Sequence, residues 1–197
     1  MQKTYLRSNQ QIGVRPLTSA DTDALFSLVT QSLESLCYWM PWCNPDYSRE
    51  DSASWTAFCD DAWSSNKEFP MGIFEVATGQ LVGSAGINLI RRVNSSGNAG
   101  YWVGAPYRAR GYATTAALMS ADFAFSELGL TRVEIVALID NAPSHRVAEN
   151  TGATNEGLAR NRLYWKGKPA DAVVYSLIPQ DLAKNEHVRR FTKFIGD

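Results

Sequence analysis

The chain has 197 residues, 45% of them hydrophobic and 20% charged, which suits one domain with a sizeable core. A formal net charge of −1 excludes the basic excess of a general nucleic-acid or anionic-membrane binder. Three cysteines, Cys37, Cys43 and Cys59, form no even disulfide framework, match no zinc spacing and lie far along the chain from His145 and His187. A reducing, cytoplasmic compartment and no metal are therefore expected.

In chain order, MQKTYLRSNQQIGVRPL lacks the apolar stretch and cleavage site of a leader, and no later run is long enough to span a membrane. Ile12 to Leu17 alternates like a short strand stopped by Pro16. Thr18 or Ser19, followed by acidic residues and by Leu25, Leu28 and Val29, marks a helix start. Glu34 to Asp51, ESLCYWMPWCNPDYSRED, mixes prolines with bulky aromatics and reads as a structured loop, with a helix over Ser52 to Ser65. Met71 to Val76 and Leu81 to Ile90 are apolar runs joined by Ala77-Thr78-Gly79-Gln80, a hairpin. Arg91 to Asn98 is a polar turn and Ala99 to Val103 a third strand. Ala113 to Leu128 forms a helix ended by Gly129, and Arg132 to Ile139 another strand. Ala142 to Asn150 is a short helix stopped at Thr151-Gly152. Leu163 to Trp165 and Val173 to Leu177 close the chain as a hairpin around Lys166-Gly167-Lys168-Pro169. Antiparallel strands, then a strand–helix–strand unit with a parallel pair, then a hairpin give a mixed α/β sheet.

The ordinary nucleotide loops are absent: there is no G-x-x-x-x-G-K-[ST] and no G-x-G-x-x-G after a strand. Val82-Gly83-Ser84-Ala85-Gly86 lacks the spacing of a nucleophile elbow. What remains is Arg108-Ala109-Arg110-Gly111-Tyr112-Ala113, between a strand and the most regular helix. The first N–H groups of a helix have no internal partners and sit at its electropositive end, so a Gly-containing turn there suits an anion, most often a phosphate. Gly111 allows an uncommon backbone conformation, Ala113 leaves room at the helix mouth, and Arg108 or Arg110 adds charge. The alternative is a plain helix start with two solvated arginines, and spacing alone does not decide between them.

Arg108-x-x-Gly111-x-Ala113 after a strand resembles the acetyl-CoA pyrophosphate loop of the GNAT N-acetyltransferases. Gly100-Tyr101-Trp102-Val103 leading into Tyr107 to Ala113 is similar to the RimJ/RimL branch, whose members acetylate protein N-termini, notably of ribosomal proteins. Further along, Asp140-Asn141-Ala142-Pro143-Ser144, Glu149-Asn150-Thr151-Gly152-Ala153 and the Tyr164 to Tyr175 hairpin resemble the family's later elements in order, and Trp39-Met40-Pro41-Trp42 resembles an element near its acceptor site. The resemblance runs from about Val14 to Leu177. It implies the GNAT acyl-CoA N-acyltransferase fold, a mixed central sheet splayed around the cofactor with flanking helices. That domain would cover residues 12–178, with an N-terminal extension over 1–11 and a C-terminal tail over 179–197.

The same resemblance implies acetyl-CoA as the acetyl donor. Backbone groups near Trp102, Val103 and Gly104 would hold the pantetheine arm. The N–H groups from Arg108 through Ala109, Arg110, Gly111, Tyr112, Ala113 and Thr114 would hold the diphosphate. Asn141 would bond to the arm or line the acetyl pocket. Ser144 is the implied proton donor to the leaving thiolate, against the plain reading of a helix cap. Trp39 and Trp42 would face the acceptor, or serve as core aromatics that fix their loop.

Two positions depart from the family: Ala148 stands where many members carry an acidic Tyr, and Asn98, an acceptor-side candidate, stands where many carry a basic Glu. An α-amine titrates near 7.7–8.0 and is about a tenth neutral at pH 7, whereas a lysine near 10.4 is neutral in about one molecule in 2,500. A site without an evident base therefore favours an α-amine, such as a protein N-terminus; the alternative is a base brought in from elsewhere in the chain by the fold, for which Glu34, Asp46 and Asp171 are the candidates. No direct nucleic acid and no membrane partner are expected, and monomer and homodimer, the latter common in the branch, both remain open. Two rival readings are an acetyltransferase of small-molecule amines (polyamine, antibiotic or amino acid) and a non-catalytic acyl-CoA-binding sensor.

Overall fold

The computed structural model describes residues 4–193. Residues 1–3 of the expected extension and 194–197 of the expected tail lie outside the described residues. The apolar runs read from the sequence become strands β2 (Ile12–Pro16), β3 (Phe69–Glu75) and β4 (Leu81–Arg91), and β2 and β3 are buried along almost their whole length. They continue through β5 (Ser96–Val103), β6 (Arg132–Leu138) and the hairpin β7 (Thr154–Trp165) and β8 (Lys168–Leu177). Two-residue strands β1 (Arg7–Ser8) and β9 (Thr192–Lys193) complete one sheet in the order β7-β8-β6-β5-β4-β3-β2-β1-β9. Every neighbouring pair is antiparallel except β5 and β6, which are joined by a helical crossover and run parallel.

That crossover is α4 (Tyr112–Ser126), buried around most of its circumference; Ala116, Ala117, Ala121 and Ala124 let it lie close to the sheet. It joins two apolar clusters, one with Ile135, Tyr175 and Leu177, the other with Met71, Ile73 and Phe123. Helices α5 (Ala142–Asn150) and α6 (Pro179–Lys184) contribute Ala148 and Leu182 to the first. A third cluster packs α1 (Thr22–Thr30), α2 (Leu33–Trp39) and Cys59 of α3 (Arg49–Ser64) against Phe74 and Leu81. Ser48 starts α3 with a capping box: its Oγ accepts the Asp51 N–H, and the Asp51 carboxylate accepts the Ser48 N–H at 2.8 Å.

The expected loop over Glu34 to Asp51 is half helix, because α2 runs through Trp39 and stops before Pro41. β7 begins at Thr154 rather than Leu163, and β5 at Ser96 rather than Ala99. Both extensions lie in polar segments, where no apolar alternation marks a strand and the hydrogen-bonded neighbour decides the conformation. Among the described residues, no three His, Cys, Asp or Glu side chains gather that could hold a metal ion, and no helix is long and apolar enough to cross a membrane.

Candidate active site

β5 and β6 pair at Ser96↔Arg132, Gly97↔Val133 and Asn98↔Glu134, and there the pairing ends. β5 nevertheless continues to Val103 alongside β4, and β6 to Leu138 alongside β8. A seam therefore opens between residues 99–103 and 135–138. The Gly104 N–H donates to Val82 O on the β4 side, and the Thr131 N–H donates to Ser95 O on the β6 side, which sets the phase of the strand. Main-chain groups alternate sides along a strand, so Ala99, Tyr101 and Val103 turn theirs into the seam while Trp102 and Gly104 turn theirs to β4. Of the three pantetheine candidates, Val103 alone offers its main chain to the seam. Tyr101, outside the expected set, offers its own. Gly104 has a packing reason instead: a Cβ there would come 2.3 Å from Leu28 Cδ1.

At the outer end of the seam, a short turn over Ala105–Tyr107 leads into the basic loop. Ala109 (φ 60°) and Gly111 (φ 77°) are both left-handed, an alternation that turns successive N–H groups toward one concavity. Gly111 starts α4 without a side-chain cap, and nothing lies within 4 Å of where its Cβ would be. The first-turn N–H groups of Tyr112, Ala113 and Thr114 are thus available to an anion. The arginines are not simply solvated. Arg108 donates to Ser35 Oγ on α2. Arg110 donates to Glu75 Oε1 (3.3 Å) and Pro106 O (3.2 Å) and lies over the Tyr107 ring. Glu75 also accepts from the Tyr112 hydroxyl at 2.9 Å, which puts a carboxylate beside the cradle.

In the turn that follows β6, Asn141 caps α5 by accepting the Ser144 N–H on its Oδ1 at 3.1 Å. The cap is Asn141, so the Ser144 hydroxyl is released from that duty. It lies 3.2 Å from the Tyr101 hydroxyl, which also donates to the Ser144 carbonyl at 3.3 Å. Burial pushes the Tyr101 phenol up to about 12, against the opposing Ser144 bond, so it stays a neutral donor at physiological pH. Tyr101 thereby ties the β5 arm of the seam to the helix that follows the β6 arm. His145 has both ring nitrogens committed, Nε2 at 3.0 Å from Ile139 O and Nδ1 at 3.0 Å from the Tyr175 hydroxyl. The carbonyl requires a donor, which fixes the proton on Nε2. Ala148 is fully buried. At the closed end of the seam, Asn98 donates to Asn88 Oδ1 at 2.9 Å, and Glu134 opposite it pairs with Arg132 and Arg162, each at 3.1 Å.

Trp39 and Trp42 part company. Trp39 stacks on Trp165 (6.4 Å, 25°), and Lys166 lies 4.0 Å from the Tyr38 ring, so α2 docks on the tip of the β7–β8 hairpin. Trp42 lies 6.1 Å from Trp102 and helps wall a cavity of about 410 Å³ between α1, α3 and the turn after α2.

A parallel pair parts beside an uncapped helix start, and over this region the chain matches a known family. The profile described as Acetyltransferase (GNAT) domain fits residues 11–154. The chain belongs to the GNAT acetyltransferases. It is 32% identical over 176 residues to YdaF of Bacillus subtilis (strain 168), whose name proposes a ribosomal N-acetyltransferase; the match covers 88% of this chain and 94% of that one. A Vibrio cholerae structure, proposed as a ribosomal-protein-serine acetyltransferase, is 29% identical with a TM-score of 0.76, covering 90% of this chain and 99% of its own. Mycobacterium smegmatis RimJ, solved in complex with CoA-disulfide, shares the fold at 24% identity and a TM-score of 0.78, over 91% and 87% of the two chains.

In this N-acetyltransferase the residues gathered at the seam fall into three stations: the cradle at 108–114, the open main chain of Tyr101 and Val103, and the Tyr101–Ser144 hydroxyl pair. The sequence named the residues of the first, Val103 of the second and Ser144 of the third. It missed Tyr101, Glu75 and Glu134. Tyr101 was signalled by strand alternation, since it is out of phase with Trp102. Glu75 and Glu134 come from other strands and carried no local signal.

Proposed function

We propose that this GNAT enzyme transfers acetyl from acetyl-CoA to the N-terminal α-amine of a protein, a ribosomal protein being the acceptor class its relatives' names point to. The observation that carries the reading is the open seam between β5 and β6, lined by unpaired main-chain groups and ending at the uncapped start of α4. The cradle would take the diphosphate on the N–H groups of 110–114, with Arg108 adding charge. The seam would take the pantetheine arm as a substitute strand beside Val103. Attack of the neutral amine on the thioester carbonyl forms the N–C bond, and the main-chain N–H groups facing the seam can accept the charge developing on oxygen. As the C–S bond breaks, the Ser144 hydroxyl protonates the thiolate and Tyr101 supplies Ser144 in turn. The product nitrogen gives its proton to solvent water, and water returns one to Tyr101, which closes the relay. His145 is committed to Ile139 and Tyr175, and Glu134 is held between two arginines, which favours an amine that is already partly neutral.

Thiol release from acetyl-CoA tests this with three acceptor sets: peptides with a free N-terminus beginning Ser, Ala, Gly or Met, the same peptides N-blocked but carrying a lysine, and free amines such as polyamines and amino acids. Turnover of the first set alone is expected. Turnover of free amines alone would move the enzyme to small-molecule acetylation, a reading that the aromatic cavity beside Trp42 also suits. Tight acetyl-CoA binding with no turnover in any set would mark a sensor.

A further inference from the structure

Three elements meet around the 410 Å³ cavity: α1 supplies Leu25 and Val29, α3 supplies Trp55 and Phe58, and Trp42 closes one side. Its volume lies within the range of built ligand sites and far exceeds what an alanine or serine side chain would fill. Its rings are unusually bare for a core. Trp42 is 45% exposed, Trp55 39% and Phe58 42%, with Trp55 and Phe58 stacked at 5.2 Å. Large rings left open on the walls of one concavity mark a binding surface rather than packing. The lining holds one charge and no cation. That charge is Asp51, whose carboxyl is held below its ordinary range by the Ser48 N–H and hydroxyl.

Trp102 connects this cavity to the reaction. It stands on β5 between Tyr101 and Val103, the two residues whose main chains face the seam. Side chains alternate along a strand, so Trp102 projects to the face opposite Tyr101. It packs with the α1–α2 cluster, whereas Tyr101 packs with the α4 clusters. The cavity therefore adjoins the seam from the side away from Ser144.

We propose that this cavity is the acceptor's side-chain pocket, and that it selects a bulky aromatic or branched apolar side chain within the first two residues of the acceptor while rejecting acidic ones. The inference rests on the α-amine reading above and narrows it, because an acceptor with two small leading residues would leave the cavity empty.

The full-length enzyme, assayed with acetyl-CoA on peptides varied at positions one and two through Ala, Ser, Leu, Phe, Trp, Asp and Glu, gives the test. At one of the two positions kcat/KM is expected to rise at least about tenfold from Ala to Leu or Phe, in line with the discrimination available from apolar pockets, and to fall below Ala for Asp and Glu. Ser54→Trp, at an exposed wall position on α3, would bring the Phe peptides down toward the Ala rate. Quenching of tryptophan fluorescence by phenylalanine amide but not alanine amide, with CoA present, reads the pocket independently of turnover. Peptides acetylated with a flat profile across Ala, Leu, Phe and Trp would overturn the pocket and leave the α-amine reading standing. Acetylation and quenching by free aromatic amines, with peptides inert, would keep the pocket and overturn the α-amine reading. Equal quenching by both amides would sink the pocket even if no acceptor turned over.

Discussion

The pair most open to direct test is Tyr101 and Ser144. With Asn141 serving as the helix cap, Ser144→Ala removes a hydroxyl that has no capping task, so its effect should fall on turnover rather than on folding. A lost proton donor is expected to lower kcat by about a hundredfold, with KM for acetyl-CoA little changed. Tyr101→Phe takes away the group that orients and resupplies Ser144, and kcat should fall about tenfold. The phenol also bonds the Ser144 carbonyl, so this variant should lose about 1 kcal/mol of stability in urea unfolding. Because the two act as one relay, the double variant is expected to be no slower than Ser144→Ala alone. Additive losses would separate them. Steady-state kinetics on the three proteins, with urea titrations alongside, gives the answer.

At the scale of elements, the cradle is a balance between the N-terminus of α4 and the carboxylate of Glu75. Glu75 holds Arg110 and Tyr112, and its charge opposes any diphosphate bound beside them. Glu75→Gln is therefore expected to lower KM for acetyl-CoA by about threefold at low salt, an effect the size of a partly exposed ion pair, and the gain should shrink as salt rises. An increased KM would mean that Glu75 positions Arg110 for binding. Gly111→Ala acts in the other direction: a side chain at φ 77° costs about 1–2 kcal/mol through the backbone alone, since no neighbour meets the added Cβ. KM should rise and thermal stability fall together. The left-handed turn and the helix start after it were legible in the sequence because R-x-x-G-x-A lies within one turn of chain. The open seam was expected through family resemblance, but no local pattern shows where two strands stop pairing. α2 was missed because seven residues crowded by aromatics and followed by Pro41 show too little helical period. Trp39 and Trp42 read alike in sequence, and their partners, Trp165 and Trp102, lie on distant strands.

For the whole molecule, the sheet's outer strands are held by charges that the sequence could not pair in advance. Arg132 donates to both oxygens of Glu156 at 2.6 and 2.5 Å, and Ser176 donates to Glu156 at 2.7 Å, which locks β6, β7 and β8 together. The Arg132 guanidinium, and after it the Ser176 hydroxyl, hold the Glu156 carboxyl down to about 2 from the usual 4.5. A depressed carboxylate stabilises the fold fully above its unfolded value and loses that contribution as pH falls through the folded one. The urea midpoint should therefore decline between about pH 4.5 and 2, and Glu156→Gln should flatten that decline. The Glu156 side chain is 37% exposed, so the effect should also weaken in high salt.

The two chain ends offer the sharper test of what the fold requires. Arg7, within the segment expected as an extension, is buried and donates to Asp122 of α4 at 2.5 Å and to Glu127 at 2.8 Å. β1 meanwhile bridges β2 and β9, so residues from both expected appendages join the sheet. A chain trimmed to residues 12–178 takes the guanidinium from a carboxylate that is 11% exposed, and breaking such a pair from one side costs about 3–5 kcal/mol. The trimmed protein is expected to melt well below the full chain, as is Arg7→Met alone. Replacing both partners, Arg7→Met with Asp122→Leu, should recover most of that loss, because two apolar side chains carry no desolvation penalty. Calorimetry on the four proteins decides the matter: if the double variant melts as low as Arg7→Met, the ion pair contributes net stability, and if the trimmed chain melts with the full one, residues 12–178 fold as a domain on their own.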